Sequence, residues 1–346
     1  MRYGSSRLLF ALLSSAVPLL SLNEVRGAPA SNKKHVRIAV IGSTPPSVDA
    51  KLPDKQVVKR VIDFWRGRLR QVLPDKPDLI VIPECSDRPS GWGGERLRRY
   101  YKGRGHTVER FFSEVARKNH CYVVYPAVRR LEDGKWYNTS TLIDRNGKVV
   151  GRYKKNFPTI GEIENGIRPG TEAVVLPCDF GRVGFAICFD LNFDELLRRY
   201  AVLRPDLIVF CSMYHGGLRQ AQWAYACRAH FVGAIMRSCP SQIRDPLGRV
   251  LASTTNYFDF AVTEINLDCA LAHLDYNWSR LRRLKEKYGP QVRISDPGFV
   301  GSVLITSEHP TLTVEDMLQE FAIEKLDHYL DRAREVRKRA LKESDT

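Results

Sequence analysis

The sequence predicts an α/β protein, and two observations carry that prediction. Short runs rich in valine and isoleucine alternate with longer helical patterns from His35 onward, whereas an all-β chain would lack the helical segments. The chain of 346 residues, 43% of them hydrophobic, is also long enough to bury a substantial core. We therefore expect one large domain or two smaller ones.

Nine runs have the length and the β-branched or aromatic content of strands. Turn motifs separate some of them, namely DRNGK at 144–148, DFGR at 179–182 and DPLGR at 245–249. Because other runs are joined by helices, we expect mixed sheets. The predicted strands are 35–42, 78–84, 121–130, 137–145, 173–180, 183–189, 206–213, 233–239 and 260–267.

Helical periodicity marks five longer segments. They are 55–73, 106–119, 192–204, 217–232 and 315–342. The last one lies in a basic tail that begins near Asp268, beyond which we expect few strands. It carries an amphipathic stripe that we expect to pack on the domain or on a partner subunit. The stripe consists of Met317, Leu318, Phe321, Ala322, Leu326, Tyr329 and Leu330.

Residues 1–30 have the pattern of a secretory signal peptide. Arg2 and Arg7 precede an apolar run over 8–22, and Ala-Pro-Ala at 28–30 supplies the small residues of a cleavage site. We expect a periplasmic or extracellular protein, with tethering by an uncleaved signal as the alternative. No later segment reaches the roughly 18 uninterrupted apolar residues of a membrane span, so we expect no transmembrane helix in the mature chain.

The formal net charge of +15 favours anionic surroundings in general. However, the cations are scattered through segments such as RGRLR, RRLKEK and RAREVRKR, which fall mostly on predicted amphipathic helices. We therefore expect no specific nucleic-acid binding. A basic binding protein without catalytic activity is kept as an alternative function.

Most of the eight cysteines sit in apolar strand or helix contexts. This placement favours buried free thiols that act as small hydrophobic residues, with one or two disulfides as the alternative. The sequence contains no CxxC pair and no His/Cys spacing typical of a zinc site.

Cys188 differs from the others because it ends an apolar run and begins a polar one, in RVGFAICFDLNFDELLRR at 182–199. A cysteine on the turn between a strand and a helix can face a substrate, and the N–H groups that follow it can stabilise an oxyanion. That placement suits acyl transfer. A buried structural cysteine is the alternative, and no histidine carries a local pattern that pairs it with this thiol.

Two further stretches place charged residues at the ends of extended segments. PDLIVIPECSD brings Glu84 to the carboxyl end of its strand, where α/β sheets build their sites. GRYKKNFPTIGEIENG places Lys154 and Lys155 after another extended segment, with Glu162 seven residues beyond Lys155. Taken singly, each of these residues is interpreted as an ordinary surface charge.

Taken in order, these motifs resemble those of the nitrilase, or carbon-nitrogen hydrolase, superfamily. The motifs are a strand followed by Pro-Glu, then Gly-x-Tyr-x-Lys, then Gly-x-x-x-Cys-x-Asp with a later Glu-Leu-x-Arg. The resemblance covers roughly residues 35–270. It implies a hydrolase domain over 31–270, folded as a four-layer α-β-β-α sandwich, and a C-terminal extension over 271–346. It also implies a homodimer or larger homo-oligomer.

The resemblance assigns three catalytic roles. Glu84 is the expected general base, Lys155 the catalytic lysine and Cys188 the nucleophile. Lys155 is preferred to Lys154 because it occupies the lysine position of Gly-x-Tyr-x-Lys.

Supporting roles follow from the same resemblance. Glu162 matches the family's second glutamate, with Glu164 as its rival. The backbone N–H of Phe189 is expected to stabilise the oxyanion. Arg198 matches the arginine after the cysteine and is expected to give structural support through an ion pair, and Arg228 in QWAYACRAH is also expected to be structural.

The implied activity is hydrolysis of a non-peptide C–N bond in a small-molecule amide or N-carbamoyl substrate. The reaction would pass through a thioester and release ammonia or an amine. No cofactor or metal is implied, and the sequence has no HExxH, no P-loop and no GxGxxG after a strand. Cys-Phe-Asp at 188–190 is less similar to nitrile-cleaving members, which carry Cys-Trp-Glu. Nitrile hydrolysis is therefore kept only as an alternative. A papain-like cysteine protease is a further alternative.

Overall fold

Strands and helices alternate along most of the chain in the computed structural model, which describes residues 34–236 and 239–344. The strands are β1 (His35–Ile41), β2 (Leu79–Val81), β3 (Tyr122–Arg130), β4 (Trp136–Ile143), β5 (Val149–Lys154), β6 (Val175–Cys178), β7 (Gly181–Ile187), β8 (Leu207–Ser212), β9 (His230–Ile235), β10 (Gln242–Arg244), β11 (Val250–Ser253), β12 (Phe260–Asn266), β13 (Cys269–His273), β14 (Val292–Ser295) and β15 (Ser302–Ser307). The helices are α1 (Asp54–Val72), α2 (Gly94–Arg104), α3 (Thr107–Asn119), α4 (Ile160–Glu164), α5 (Asp194–Leu203), α6 (Leu218–Cys227), α7 (Trp278–Tyr288), α8 (Val314–Glu320) and α9 (Leu326–Ser344).

Two six-stranded sheets form the body of the protein. The first has the strand order β12-β1-β2-β3-β4-β5, with β1, β2 and β3 parallel. The second has the order β11-β10-β9-β8-β7-β6, with β7, β8 and β9 parallel. The remaining neighbours pair antiparallel. Both sheets are therefore mixed, as predicted, with the parallel strands at their centres.

Alternate residues of β1 show how the layers stack. Val36, Ile38 and Val40 are buried in the core between the two sheets, whereas Ala39 and Ile41 are buried against α1, α2 and α3. Because neighbouring side chains of a strand point to opposite faces, both faces of the first sheet are covered. α5 and α6 cover the outer face of the second sheet. The fold is the expected four-layer α-β-β-α sandwich.

The predicted elements of the body are confirmed, with shifted ends. Every predicted strand overlaps an observed one, and the three turn motifs join β4 to β5, β6 to β7 and β10 to β11. α6 ends earlier than predicted because Arg228 adopts a left-handed conformation, with φ of 56°. α2 lies outside the predicted helices because its buried face consists of Tyr100, Tyr101 and Arg104 rather than aliphatic residues.

The expectation of few strands beyond Asp268 is wrong. β13, β15 and β14 form a three-stranded antiparallel sheet in that order, and α7 and α8 pack against it. The three strands have 5, 6 and 4 residues, respectively. Such short apolar runs give a weak periodic signal, which explains why the sequence pattern does not reveal them.

The single helix predicted over 315–342 is also wrong, because α8 and α9 are separate. The chain between them turns at Ala322, whose φ is 51°. The side chain of Asn277 holds the turn through two hydrogen bonds to the backbone of Glu324, from Nδ2 to the carbonyl oxygen at 3.0 Å and from the N–H to Oδ1 at 3.2 Å. A contact between residues 47 positions apart along the chain therefore stabilises the turn between the two helices.

The beginning of α9 packs on the body of the protein. Leu326 is buried in a small cluster with Leu247, which lies in the turn between β10 and β11. Asp327 pairs with Arg228 at 3.0 Å and also with Arg204. The C-terminal segment is thus joined to the second sheet and its helices by both apolar and charged contacts.

All eight cysteines are free thiols, as the sequence predicts, and five of them are buried. No helix within residues 34–236 and 239–344 is both long and apolar enough to cross a membrane. The predicted signal peptide at 1–30 lies outside the described residues.

Leu326→Ala should lower the free energy of unfolding by about 2–5 kcal/mol, because it leaves a cavity where α9 meets the body. Val336→Ala on the same helix is the matched control. Val336 is 49% exposed, so its truncation should change the free energy by less than about 0.5 kcal/mol. Urea unfolding checks both values, and equal effects of the two substitutions would contradict this packing.

Candidate active site

The three predicted catalytic residues meet at one edge of the sandwich. Glu84 follows β2, Lys155 follows β5 and Cys188 follows β7. The Lys155 Nζ donates to Glu84 Oε1 at 3.0 Å, and the charges of both residues act on the Cys188 thiol. β2 belongs to the parallel strands of the first sheet and β7 to those of the second. The carboxyl ends of strands from both sheets therefore contribute to one site.

Lys155 lies between two carboxylates. Its side chain is 1% exposed, and Nζ is 3.0 Å from Glu84 Oε1 and 2.7 Å from Glu162 Oε2. Burial lowers the pKa of this ammonium, but Glu84, Cys188 and Glu162 outweigh burial and hold the pKa above its usual value. Lys155 is therefore a fixed positive charge at neutral pH.

Asn138, which the sequence analysis does not identify, connects the two carboxylates. Its Nδ2 donates to Glu84 Oε1 at 2.7 Å and to Glu162 Oε1 at 2.8 Å, and the residue is fully buried on β4. The sequence signal that could have found it is an asparagine in the predicted strand YNTSTL, because an amide buried in a strand requires hydrogen-bond partners.

A capping box at the start of α4 fixes Glu162. Thr159 Oγ1 accepts from the Glu162 N–H at 3.3 Å, and Glu162 Oε2 accepts from the Thr159 N–H at 2.8 Å. Burial raises the pKa of Glu162, but Lys155 more than compensates and lowers it overall. The rival Glu164 is exposed and lies outside the cluster. The structure therefore places Glu162, not Glu164, beside Lys155.

Asp190 holds the turn that presents Cys188. Cys188 has a φ of 48°, a left-handed conformation that is uncommon outside glycine. Asp190 Oδ2 accepts from the Ile187 N–H at 2.8 Å and from the Tyr153 hydroxyl at 2.7 Å, while Oδ1 accepts from the Phe157 N–H at 2.7 Å. Burial raises the pKa of Asp190 to about 6 despite these donors. One carboxyl group thereby ties the end of β7 to the segment around Lys155.

The Cys188 thiol is half-buried and interacts with the carboxylate of Glu84. Burial and Glu84 raise its pKa to about 12, while Lys155 and the backbone N–H of Met213 act in the opposite direction. Glu84 Oε2 is buried and has no hydrogen-bond partner among the described residues. In the free protein the sulfur is therefore protonated, with a carboxylate oxygen available to accept its proton.

The other predicted supporting residues differ in their surroundings. Phe189 lies next to the nucleophile, 36% exposed, and packs edge-on against Phe193 with the ring centroids 5.2 Å apart. Arg198 is exposed on α5 and forms no ion pair with any described residue, so the expected ion pair is wrong. Arg219 instead pairs with Asp194 at the start of that helix, at 2.6 Å. Arg228 is structural, as predicted, through its pair with Asp327 described above.

The groups acting most strongly on Cys188 include no histidine. This arrangement differs from the histidine base of a papain-like protease. Within the described ranges, no group of three or more His, Cys, Asp or Glu side chains is placed to hold a metal ion.

Comparison with known proteins identifies the family. Residues 37–268 match the model of the carbon-nitrogen hydrolase family, which is more than half of the chain. The chain belongs to the carbon-nitrogen hydrolase family. The matched range contains both large sheets, apart from the first two residues of β1, and all the residues of the candidate site described above.

Curated relatives of this carbon-nitrogen hydrolase are distant. It is 25% identical over 197 residues to omega-amidase NIT3 of Saccharomyces cerevisiae, a match covering 52% of this chain and 66% of that protein, just under two thirds of its length. It is 22% identical over 233 residues to human omega-amidase NIT2, covering 63% of this chain and 83% of that one.

The fold is shared with a solved mutant of the amidase from Nesterenkonia sp. AN1. The TM-score is 0.59 at 16% identity, with 74% of this chain and 97% of that chain covered. That structure shows covalent addition of the acetamide moiety of fluoroacetamide at the active-site cysteine of the Nesterenkonia protein. At this identity the likeness shows the fold of the present carbon-nitrogen hydrolase alone.

Substitution of the charged neighbours should change the thiolate fraction of Cys188 in opposite directions. Glu84→Gln should lower the pKa of the thiol and speed its alkylation by iodoacetamide at pH 9, whereas Lys155→Met should slow it. Mass spectrometry of the Cys188 peptide measures the rates. Glu164→Gln is the control, since it removes an exposed carboxylate nearby. The account fails if Glu84→Gln and Lys155→Met shift the rate in the same direction.

Proposed function

We propose that this protein hydrolyses a C–N bond in a small-molecule amide or N-carbamoyl compound through a thioester on Cys188. The observation that carries the proposal is the buried Lys155 ammonium, held between Glu84 and Glu162 beside a protonated thiol. This arrangement supplies a nucleophile, a proton acceptor and a fixed positive charge within one cluster.

In the first step, Glu84 accepts the Cys188 proton as the sulfur attacks the carbonyl carbon of the substrate. Oε2 is the oxygen for this transfer, because Oε1 already accepts from Lys155 and Asn138. A thiol with a pKa of about 12 is a poor nucleophile at neutral pH, so proton transfer must accompany the attack.

The attack turns the carbonyl oxygen into an oxyanion. Lys155 is the group we assign to stabilise it, together with the backbone N–H of Phe189. Because Lys155 is already held by two carboxylates, it needs no reorganisation as the negative charge develops.

Collapse of the tetrahedral intermediate breaks the C–N bond. Glu84 returns its proton to the departing nitrogen, which leaves as ammonia or an amine, and Cys188 keeps the acyl group as a thioester. A water molecule, deprotonated by the same carboxylate, then attacks the thioester. With an amide the products are a carboxylic acid and the restored thiol; with an N-carbamoyl compound that releases its amine, the acid is carbamic acid, which breaks down to ammonia and carbon dioxide.

The names of the similar proteins support an amide rather than a nitrile as the substrate. Two are omega-amidases, and the Nesterenkonia protein is an amidase whose active-site cysteine is modified by an amide-derived group. Export of this chain and its assembly into a homodimer or larger homo-oligomer stay predictions of the sequence.

Ammonia release tests the proposal. Residues 31–346 should release ammonia from at least one member of a panel of ω-amides, N-carbamoyl amino acids, aliphatic amides and nitriles. Cys188→Ala should abolish the release, because the sulfur forms the covalent intermediate. Release that persists in Cys188→Ala, or release from nitriles alone, would contradict the proposal.

Lys155→Ala should lower kcat by at least about 100-fold, as expected for loss of an oxyanion donor. Lys154→Ala is the matched control from the adjacent position. The Lys154 ammonium lies 4.5 Å from the centroid of the Tyr137 ring, away from the carboxylates, so its loss should change kcat within roughly fivefold. Equal effects in steady-state kinetics would show that the lysine roles are assigned wrongly.

A further inference from the structure

The positive charge of the chain is concentrated on one face of the sandwich. Helices α1, α2 and α3 together carry 14 Lys and Arg against 5 Asp and Glu, a net charge of +9 out of the +15 of the whole chain. Helices α5 and α6, which cover the outer face of the second sheet, carry 3 Lys and Arg against 2 Asp and Glu, a net charge of +1. The cations look scattered along the sequence, but the fold collects most of the excess in one layer.

α1, α2 and α3 lie together over the outer face of the first sheet. Their inward side chains share one apolar core with Ile80 of β2 and Val123 of β3. In this core the rings of Trp65 on α1 and Phe112 on α3 have centroids 6.2 Å apart, and Tyr100 on α2 is fully buried. The polar sides of the three helices therefore point away from the sheet. Their exposed side chains form one outward surface, here called the cationic layer.

Most charges of the cationic layer are not neutralised within the protein. Eleven Lys and Arg side chains are exposed on these helices, against three exposed acids, Asp63, Glu95 and Glu114. Asp63 pairs with Lys59 at 2.7 Å and with Arg66 at 2.5 Å. The other nine cations form no ion pair with any described residue. An anionic surface outside the protein therefore meets charges that have no competing partner in the described part of the chain.

The chemistry of the cationic layer matches phospholipid headgroups. Seven of its eleven exposed cations are arginines, whose planar donors suit phosphate oxygens. None of the large hydrophobic or aromatic side chains that are exposed among the described residues lies on these three helices. The layer therefore lacks the stacking platform that single-stranded nucleic acid uses. Its cations also spread over three helices, rather than along one element that could enter a DNA groove.

We propose that the cationic layer binds a membrane surface that carries anionic phospholipids. The attraction is electrostatic, and each cation close to the surface contributes to it. The candidate active site lies at the carboxyl ends of the strands, at an edge of the sandwich, whereas the cationic layer covers one face. Binding through this face therefore leaves the edge that carries the site uncovered.

Co-sedimentation of the full chain with vesicles tests the proposal. The protein should partition more strongly into vesicles of phosphatidylcholine and phosphatidylglycerol in equal parts than into vesicles of phosphatidylcholine alone. The neutral vesicles report any binding by the apolar run at 8–22, so the ratio of the two partition coefficients measures the electrostatic part. The ratio should fall steeply as potassium chloride is added, because salt screens exposed charges. A ratio near one at low salt, or one that salt does not change, would overturn the proposal.

A triple substitution locates the binding surface. Arg60→Gln, Arg99→Gln and Lys118→Gln remove one exposed, unpaired cation from each helix of the cationic layer. Together they should lower the ratio of partition coefficients by about 10- to 100-fold, because each cation near an anionic surface contributes to binding.

The matched control lies on the exposed end of α9. Arg337→Gln, Lys338→Gln and Arg339→Gln also remove three exposed cations, so the net charge of the chain changes equally. These positions lie outside the cationic layer, so the ratio should change by less than about threefold. Equal losses in the two triple variants would show that net charge alone determines binding, and would overturn the proposal.

Two further measurements make the result specific. The variant with Arg60→Lys, Arg99→Lys and Lys118→Arg keeps every charge and should bind within about threefold of the wild type. If this variant loses binding as strongly as the glutamine variant, charge is not the cause and the proposal fails. Duplex DNA at the same salt concentration tests the other class of partner. Tighter binding to DNA than to the anionic vesicles, lost in the same glutamine variant, would overturn the proposal in favour of a nucleic-acid partner.

Discussion

The buried ammonium of Lys155 is the interaction on which the site depends. Removing a charge from water is costly, and it is tolerated here because Lys155 has two carboxylate partners, at 3.0 and 2.7 Å. Loss of either partner would leave a buried charge incompletely paired. The surrounding structure therefore fixes both carboxylates: Asn138 bridges them, and the capping box of α4 orients Glu162. The short helix α4 is thus part of the site.

The second sheet supplies the nucleophile that this cluster of charges lacks. Lys155 and Glu84 belong to the first sheet, whereas Cys188 is delivered by the second, on a left-handed turn anchored by Asp190. Because Asp190 also bonds Tyr153 and the Phe157 N–H, the turn is tied to the strand and loop that carry Lys155. The hydrogen bonds that position Cys188 therefore also join the two sheets. The buried carboxyl group of Asp190 accepts all of them.

Local patterns predict much of this structure, and contacts distant in sequence account for the rest. The alternation of apolar runs and helical patterns predicts an α/β protein with mixed sheets, while the resemblance to the family implies the four-layer sandwich and the candidate residues Glu84, Lys155 and Cys188. Asn138 carries no such motif, since its significance arises only when β4 meets Glu84 after β2 and Glu162 at the start of α4. The break between α8 and α9 escapes prediction for the same reason, because the turn between them is held by Asn277, 47 residues away along the chain. Arg198 shows the opposite error, in which a motif match implies an ion pair that is not formed among the described residues.

The central claim is that Cys188 carries the acyl group during turnover. Rapid quenching of the protein with a hydrolysed amide, followed by intact-mass and peptide mass spectrometry, tests it most directly. We predict a transient mass increase equal to the acyl group, located on Cys188, that forms and decays at rates consistent with kcat. Turnover at the same rate with no adduct on Cys188, or with the adduct on another residue, would contradict the account.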